Sequence, residues 1–167
     1  MNENSALDIL KSALLLERRG RAFYGQAARN SSGRAVKAFF EMMAAEEDRH
    51  IDILSEQYKT CQSQGRFAPF SRPDARPGEV AESVLSADLK DQIAAADFEA
   101  AAVSAAIAME ERAVKIYSQR SRDTADEEEK KLYLWLADWE REHLAWLVKI
   151  DREITEQIWQ DNSFWPF

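Results

Sequence analysis

One segment of this chain occurs twice in slightly different form, and that repeat limits what the chain can fold into. ALLLERRGRAFY (13–24) aligns with AIAMEERAVKIY (106–117), pairing Glu17 with Glu110 and Tyr24 with Tyr117 at an offset of 93 residues. The same offset carries Glu47 to Glu140, His50 to His143 and Leu54 to Leu147 without a gap. Self-similarity of this kind sets architecture before local propensity does.

The repeated unit is helical. Glycine (5) and proline (4) are scarce, so helix breakers are few and can be placed individually. Apolar spacing predicts helices over about 5–29, 34–62, 97–122 and 127–160. Ser5 caps the first, with Asp8 three residues on. Val36, Phe40, Met43, Glu47, His50 and Leu54 form the inward seam of the second. Leu136, Glu140, His143, Leu147, Ile150 and Ile154 share one face of the fourth. NSSG (30–33) and RDTAD (122–126) are polar breaks, and Thr124 with Glu127 reads as a capping box. Pro69, Pro73 and Pro77 exclude helix over 65–78, and EVAESVLSADL (79–89) reads as a short surface helix.

The expected fold is all-α. It is a four-helix bundle of two helical hairpins joined by a long crossover over about 64–97. One domain covers 1–160, and an aromatic tail follows at 161–167. The hairpin geometry can be tested by arithmetic. In an antiparallel pair, residues at one height lie equally far from the turn. Glu17 and Glu47 are centred on position 32, within NSSG, and Glu110 and Glu140 on position 125, within RDTAD. Each pair therefore sits roughly 20 Å from its turn, at about 1.5 Å per residue. A crossover that traverses the bundle brings both pairs to the same central level.

Other classes are excluded by charge and hydropathy. A net charge of -8 with no basic stripe argues against nucleic acid. No apolar run approaches the roughly 20 residues that span a bilayer. The N-terminus lacks a basic stretch followed by an apolar one, so no signal peptide is expected. The single cysteine, Cys61, permits no internal disulfide and fits a reducing, cytoplasmic setting. It reads as a small residue late in a helix. Alone, it cannot build a four-cysteine iron site.

Six polar groups then converge on an apolar interior: Glu17, Glu47, His50, Glu110, Glu140 and His143. Four buried carboxylates need compensating charge. No lysine or arginine shares their level on the inward faces. Two divalent cations match four carboxylates, and neutral imidazoles add donors without adding charge. Oxygen-rich positions with one nitrogen each suit iron or manganese rather than a thiolate metal. Neighbouring Glu46 and Glu111 read as solvent-facing charges. Trp135, Trp139 and Trp146 read as core or interface bulk.

This arrangement resembles the ferritin-like superfamily, in which two helices give a Glu each and two give Glu-x-x-His. Within it, Glu17 with Tyr24, EEDRH, Glu110 with Tyr117, and EREH look most like the rubrerythrin family. The resemblance implies two iron ions cycling between Fe2+ and Fe3+, with manganese as the alternative. It implies that the six residues are both metal ligands and the catalytic set. Glu47 and Glu140 bridge, Glu17 and Glu110 are terminal, and each histidine caps one metal. Tyr24 and Tyr117 hydrogen-bond carboxylates. It further implies a homodimer that reduces peroxide. Rubrerythrins usually carry a rubredoxin-type iron domain, and none is seen here, so a separate electron-donor protein is expected. Ala113 stands where that family tends to have a further glutamate, leaving a metal that shifts between Glu and His without its extra carboxylate. Two other functions fit the same residues. One is ferroxidase chemistry with dioxygen, linked to iron storage. The other is a non-catalytic module that senses iron or uses metal only for stability.

Overall fold

The computed structural model describes residues 3–73 and 97–160. Among them are four helices: α1 (Glu3–Asn30), α2 (Arg34–Gln64), α3 (Asp97–Asp123) and α4 (Glu127–Gln160), with no strand. They form a ferritin-like four-helix bundle. α1 packs along α2 and α3 along α4, giving the two expected hairpins. The predicted surface helix at 79–89 and the tail at 161–167 lie outside the described residues.

Local chemistry sets the ends of the helices. The turn between α1 and α2 closes when the amide and hydroxyl of Ser31 both donate to the Ala27 carbonyl. Gly33 is extended and caps α2 without a side chain. At the far end, Gly65 adopts φ 68, and its amide donates to the Cys61 carbonyl. That left-handed cap is a conformation glycine takes without steric cost.

Two details differ from the sequence reading. α1 begins at Glu3, two residues before Ser5, within the usual fraying of a helix end. Asp126, rather than Thr124 with Glu127, caps α4. Its Oδ1 accepts from the amides of Glu128 and Glu129, each at 2.9 Å. Asp126 directly precedes the first helical residue, so its short carboxylate reaches those amides. Thr124, two residues before Asp126, instead shapes the turn. Its hydroxyl accepts from the Asp126 amide and donates to buried Glu129, which also pairs with Arg120 at 2.6 Å.

Contacts between the hairpins show them packed head to tail. Glu99, in the first turn of α3, accepts from the amide of Ser32 in the α1–α2 turn. At the opposite end, the chain leaving α2 lies against α4. Gln57 holds Ala68 through both amide groups, the Phe70 amide donates to Glu128, and Arg72 pairs with Asp138. The crossover therefore starts on the α2/α4 face.

The apolar core is divided. One cluster, including Tyr24, Phe39, Phe40, Val103 and Leu147, fills the end nearer the α1–α2 turn. A second, including Leu10, Leu54, Tyr117, Leu132 and Leu136, fills the other end. The six converging polar residues lie between them. The cap assignment can be checked by urea denaturation. Asp126→Ala should cost about 1 kcal/mol, and Glu127→Ala should leave stability within about 0.5 kcal/mol.

Candidate metal centre

Glu17, Glu47, His50, Glu110, Glu140 and His143 meet at mid-bundle, none more than 3% exposed. The helices bring them there through i, i+3 spacing, which stacks Glu47 under His50 and Glu140 under His143 on inward stripes. Their donor atoms form two overlapping groups. Glu17, Glu47, His50 and Glu140 each place one such atom within 4.8 Å of the others, and so do Glu47, Glu110, Glu140 and His143. Glu47 and Glu140 belong to both groups. Each group draws three residues from one hairpin and one from the other.

The histidines turn Nδ1 toward the carboxylates. His50 Nδ1 lies 2.9 Å from Glu17 Oε2 and 3.2 Å from Glu140 Oε1. His143 Nδ1 lies 3.1 Å from Glu140 and 3.8 Å from Glu110. Neither Nε2 has a hydrogen-bond partner among the described residues. Packing orients these rings instead. Trp135 and Trp139 stand edge-on to His50 at 5.5 and 5.6 Å, and Trp146 lies 5.5 Å from His143. The tryptophans are core bulk, as their spacing indicates, and they also form the wall behind the imidazoles.

The tyrosines cross between hairpins. Tyr24 of α1 donates to Glu110 of α3, and Tyr117 of α3 donates to Glu17 of α1. Burial, and then the charge of the accepting glutamate, push both phenols far above their ordinary range, so both remain protonated donors. Each outer carboxylate is thereby fixed by the opposite half of the repeat.

A cavity of about 20 Å³ opens beside the cluster, room for roughly one water-sized molecule. Its lining consists of four pairs at the repeat offset: Leu16 with Met109, Glu17 with Glu110, Gly20 with Ala113, and Glu47 with Glu140. The cavity therefore sits on the internal symmetry axis. Gly20 leaves room for the Glu47 carboxylate. A Cβ there would lie 3.1 Å from the Glu47 carboxyl carbon and 3.2 Å from its Oε1.

A family model described as a ferritin-like domain matches residues 5–152. The chain belongs to the ferritin-like domain family. No curated protein and no solved structure gives a match. In this ferritin-like bundle the donor set fits two dications. Each group offers three carboxylates and one imidazole nitrogen, a hard-oxygen set suited to iron or manganese. The electrostatics agree. Burial and then the Glu17 and Glu140 charges raise Glu47, while burial and then Glu140 raise Glu110. Glu140 is raised by burial and then by Glu17. Glu17 would also rise by burial, but the hydrogen bond and charge of His50 hold it down at about 2. Burial opposes charging His50, yet Glu140 and Glu17 raise it well above its ordinary value. Burial lowers His143 despite the neighbouring Glu110. Carboxyls crowded in a dry interior are thus driven toward protonation, and a bound dication would relieve the same repulsion.

Three features escaped the sequence reading. Glu46, expected in solvent, is only 5% exposed. One of its oxygens accepts from Arg49 at 2.9 Å, and its Oε2 is buried without a partner among the described residues. Its helical spacing with Phe39, Met43 and His50 is the signal that could have placed it inward. Glu111 is exposed, as expected. Gly20 was not singled out, although it pairs with Ala113 one turn after each outer glutamate. The contact between Trp135, Trp139 and His50 was not foreseen either, because it depends on how the two hairpins dock.

Two expectations follow. Gly20→Ala should weaken metal affinity about tenfold in a chelator competition, by displacing the Glu47 carboxylate. The metal-free protein should melt no lower, because alanine adds about 1 kcal/mol of helix propensity. The second concerns pH. A carboxyl with a folded pKa above its unfolded value stabilises the fold at low pH, and that contribution is lost as pH rises through the folded pKa. Glu47, Glu110 and Glu140 are all of this kind, and His50 acts in the same direction. His143 opposes them as pH falls from its ordinary value toward its lowered one. The melting temperature of metal-free protein should therefore rise from neutral pH toward about 5.5. A steady fall over that range in scanning calorimetry would contradict this electrostatic account.

Proposed function

We propose that this chain is a non-haem di-iron redox protein of rubrerythrin type. It reduces hydrogen peroxide with electrons from a separate donor protein, as a cytoplasmic homodimer. One observation carries the reading: two buried donor groups share Glu47 and Glu140, and among the described residues their only ion-pair partners are the two histidines. Glu17, Glu47, His50, Glu110, Glu140 and His143 would hold the ions. When bound, two ferrous ions supply the two electrons that, with two protons, convert peroxide to two waters.

The chain's own groups support this chemistry. Tyr24 and Tyr117 hold the outer carboxylates in place across the hairpin boundary. The cavity between Gly20 and Ala113 has room for about one water-sized molecule, too little for a bulky reductant, so electrons would come through the protein wall from a donor at the surface. Manganese fits the same donors, and its uptake would change the reactivity without changing the ligand set.

The second reading is ferroxidase chemistry, in which iron is the substrate and dioxygen the oxidant. Carboxylate-rich donors serve transient iron as well as resident iron. Stopped-flow mixing of the reduced, iron-loaded protein with peroxide or with dioxygen separates the two. The proposal expects oxidation by peroxide to be at least about tenfold faster, with iron retained. Faster reaction with dioxygen followed by loss of iron would replace it with the ferroxidase reading. Glu47→Ala should abolish the reaction in either case. Unchanged reactivity in that variant, or tight iron binding without any turnover in the parent protein, would leave the metal a purely structural role.

A further inference from the structure

The two halves of the repeat are closed differently where α1 faces α3. Toward the α1–α2 turn, Phe23 packs edge-on against Tyr24 at 5.5 Å and joins the apolar cluster that includes Ala100 and Ile107 of α3. The repeat offset carries Phe23 to Ile116. Ile116 is 41% exposed, and Leu15 on α1 is 49% exposed. These two residues line a groove of about 690 Å³ that continues down the α1/α3 face. Its size falls in the range of small-molecule sites, about 300–1,000 Å³. Tyr117 and Tyr133 also line it, stacked at 5.7 Å, and the buried Tyr133 hydroxyl has no hydrogen-bond partner among the described residues.

We propose that this groove binds an amphipathic monoanion, a carboxylate carrying an extended apolar tail. Charge selects the head. The protein carries -8 overall, yet the groove is lined by Arg19, Arg112, Lys115 and Arg120 against one carboxylate, Asp123. Arg120 is committed to Glu129. Arg19, Arg112 and Lys115 are exposed and belong to no ion pair among the described residues. Arg19 and Arg112 are themselves partners at the repeat offset and stand on opposite walls, α1 and α3. A single anionic group between them gains from both. Apolar chemistry selects the tail. Between and beside the cations the walls are Ile9, Ala13, Leu15, Leu16 and Ile116, which offer a polar ligand body little to hydrogen-bond. Leu16 lines both this groove and the cavity beside the metal centre, so a seated tail lies next to that cavity's wall. Binding itself needs no redox chemistry.

The test titrates the full-length protein as purified with dodecanoate, below its micelle concentration, by calorimetry. Saturable one-to-one binding is expected, with dodecan-1-ol at least about tenfold weaker. The double variant Arg112→Glu/Lys115→Glu should lose at least about tenfold in affinity, whereas Lys149→Glu on α4 should lose none. Absence of saturable binding, equal binding of the alcohol, or insensitivity to the double variant would each overturn the proposal. So would a dimer in sedimentation that Ile116→Glu dissociates and dodecanoate does not, because a second copy would then cover this face. The titration reads neither metal nor electrons. A protein inert to peroxide that still binds dodecanoate refutes the proposed function and leaves this inference standing.

Discussion

Repulsion among four carboxylates at mid-bundle is the constraint to which the rest of the structure responds. Left alone in an apolar interior, Glu17, Glu47, Glu110 and Glu140 would drive the helices apart or take up protons. The fold surrounds them with partial remedies. Tyr24 and Tyr117 each give a hydroxyl to the far hairpin's glutamate. His50 supplies one positive charge between Glu17 and Glu140. The two apolar clusters above and below supply the cohesion that holds the layer together. What these remedies do not relieve is the crowding of carboxyls at a place where two dications could sit.

Much of this was legible in the residues. The offset linking Glu17 to Glu110 and His50 to His143 reports symmetry directly, because duplicated helices place equivalent side chains equivalently. The polar breaks NSSG and RDTAD mark the turns, and the midpoints at 32 and 125 fall inside them and set the height of the polar layer. What was not legible depends on docking between hairpins. Glu46 looks like a surface charge in sequence, since its neighbours Ala45 and Asp48 are small or acidic. Asp126 and Thr124 differ by two residues, and sequence spacing alone does not tell which one meets the first free amides. The wall of Trp135 and Trp139 around His50 likewise needs the second hairpin in place.

The internal symmetry is close at the centre and weaker outside it. The small cavity is lined by four matched pairs, down to Gly20 and Ala113. One glycine marks the difference that matters there, because Glu47 leans over a position that cannot carry a Cβ without crowding. Away from the axis the copies diverge. Phe23 packs into the core, and its counterpart Ile116 lies exposed beside an open groove.

Each donor group takes three residues from one hairpin and its fourth from the other. Neither hairpin can complete a donor group alone, and each shared glutamate also serves its neighbour's group. Ion binding is consequently a report on assembly. A molecule whose halves have slipped by even one helical turn presents two incomplete sets of three donors, and the energy of coordination is then unavailable to that misaligned form.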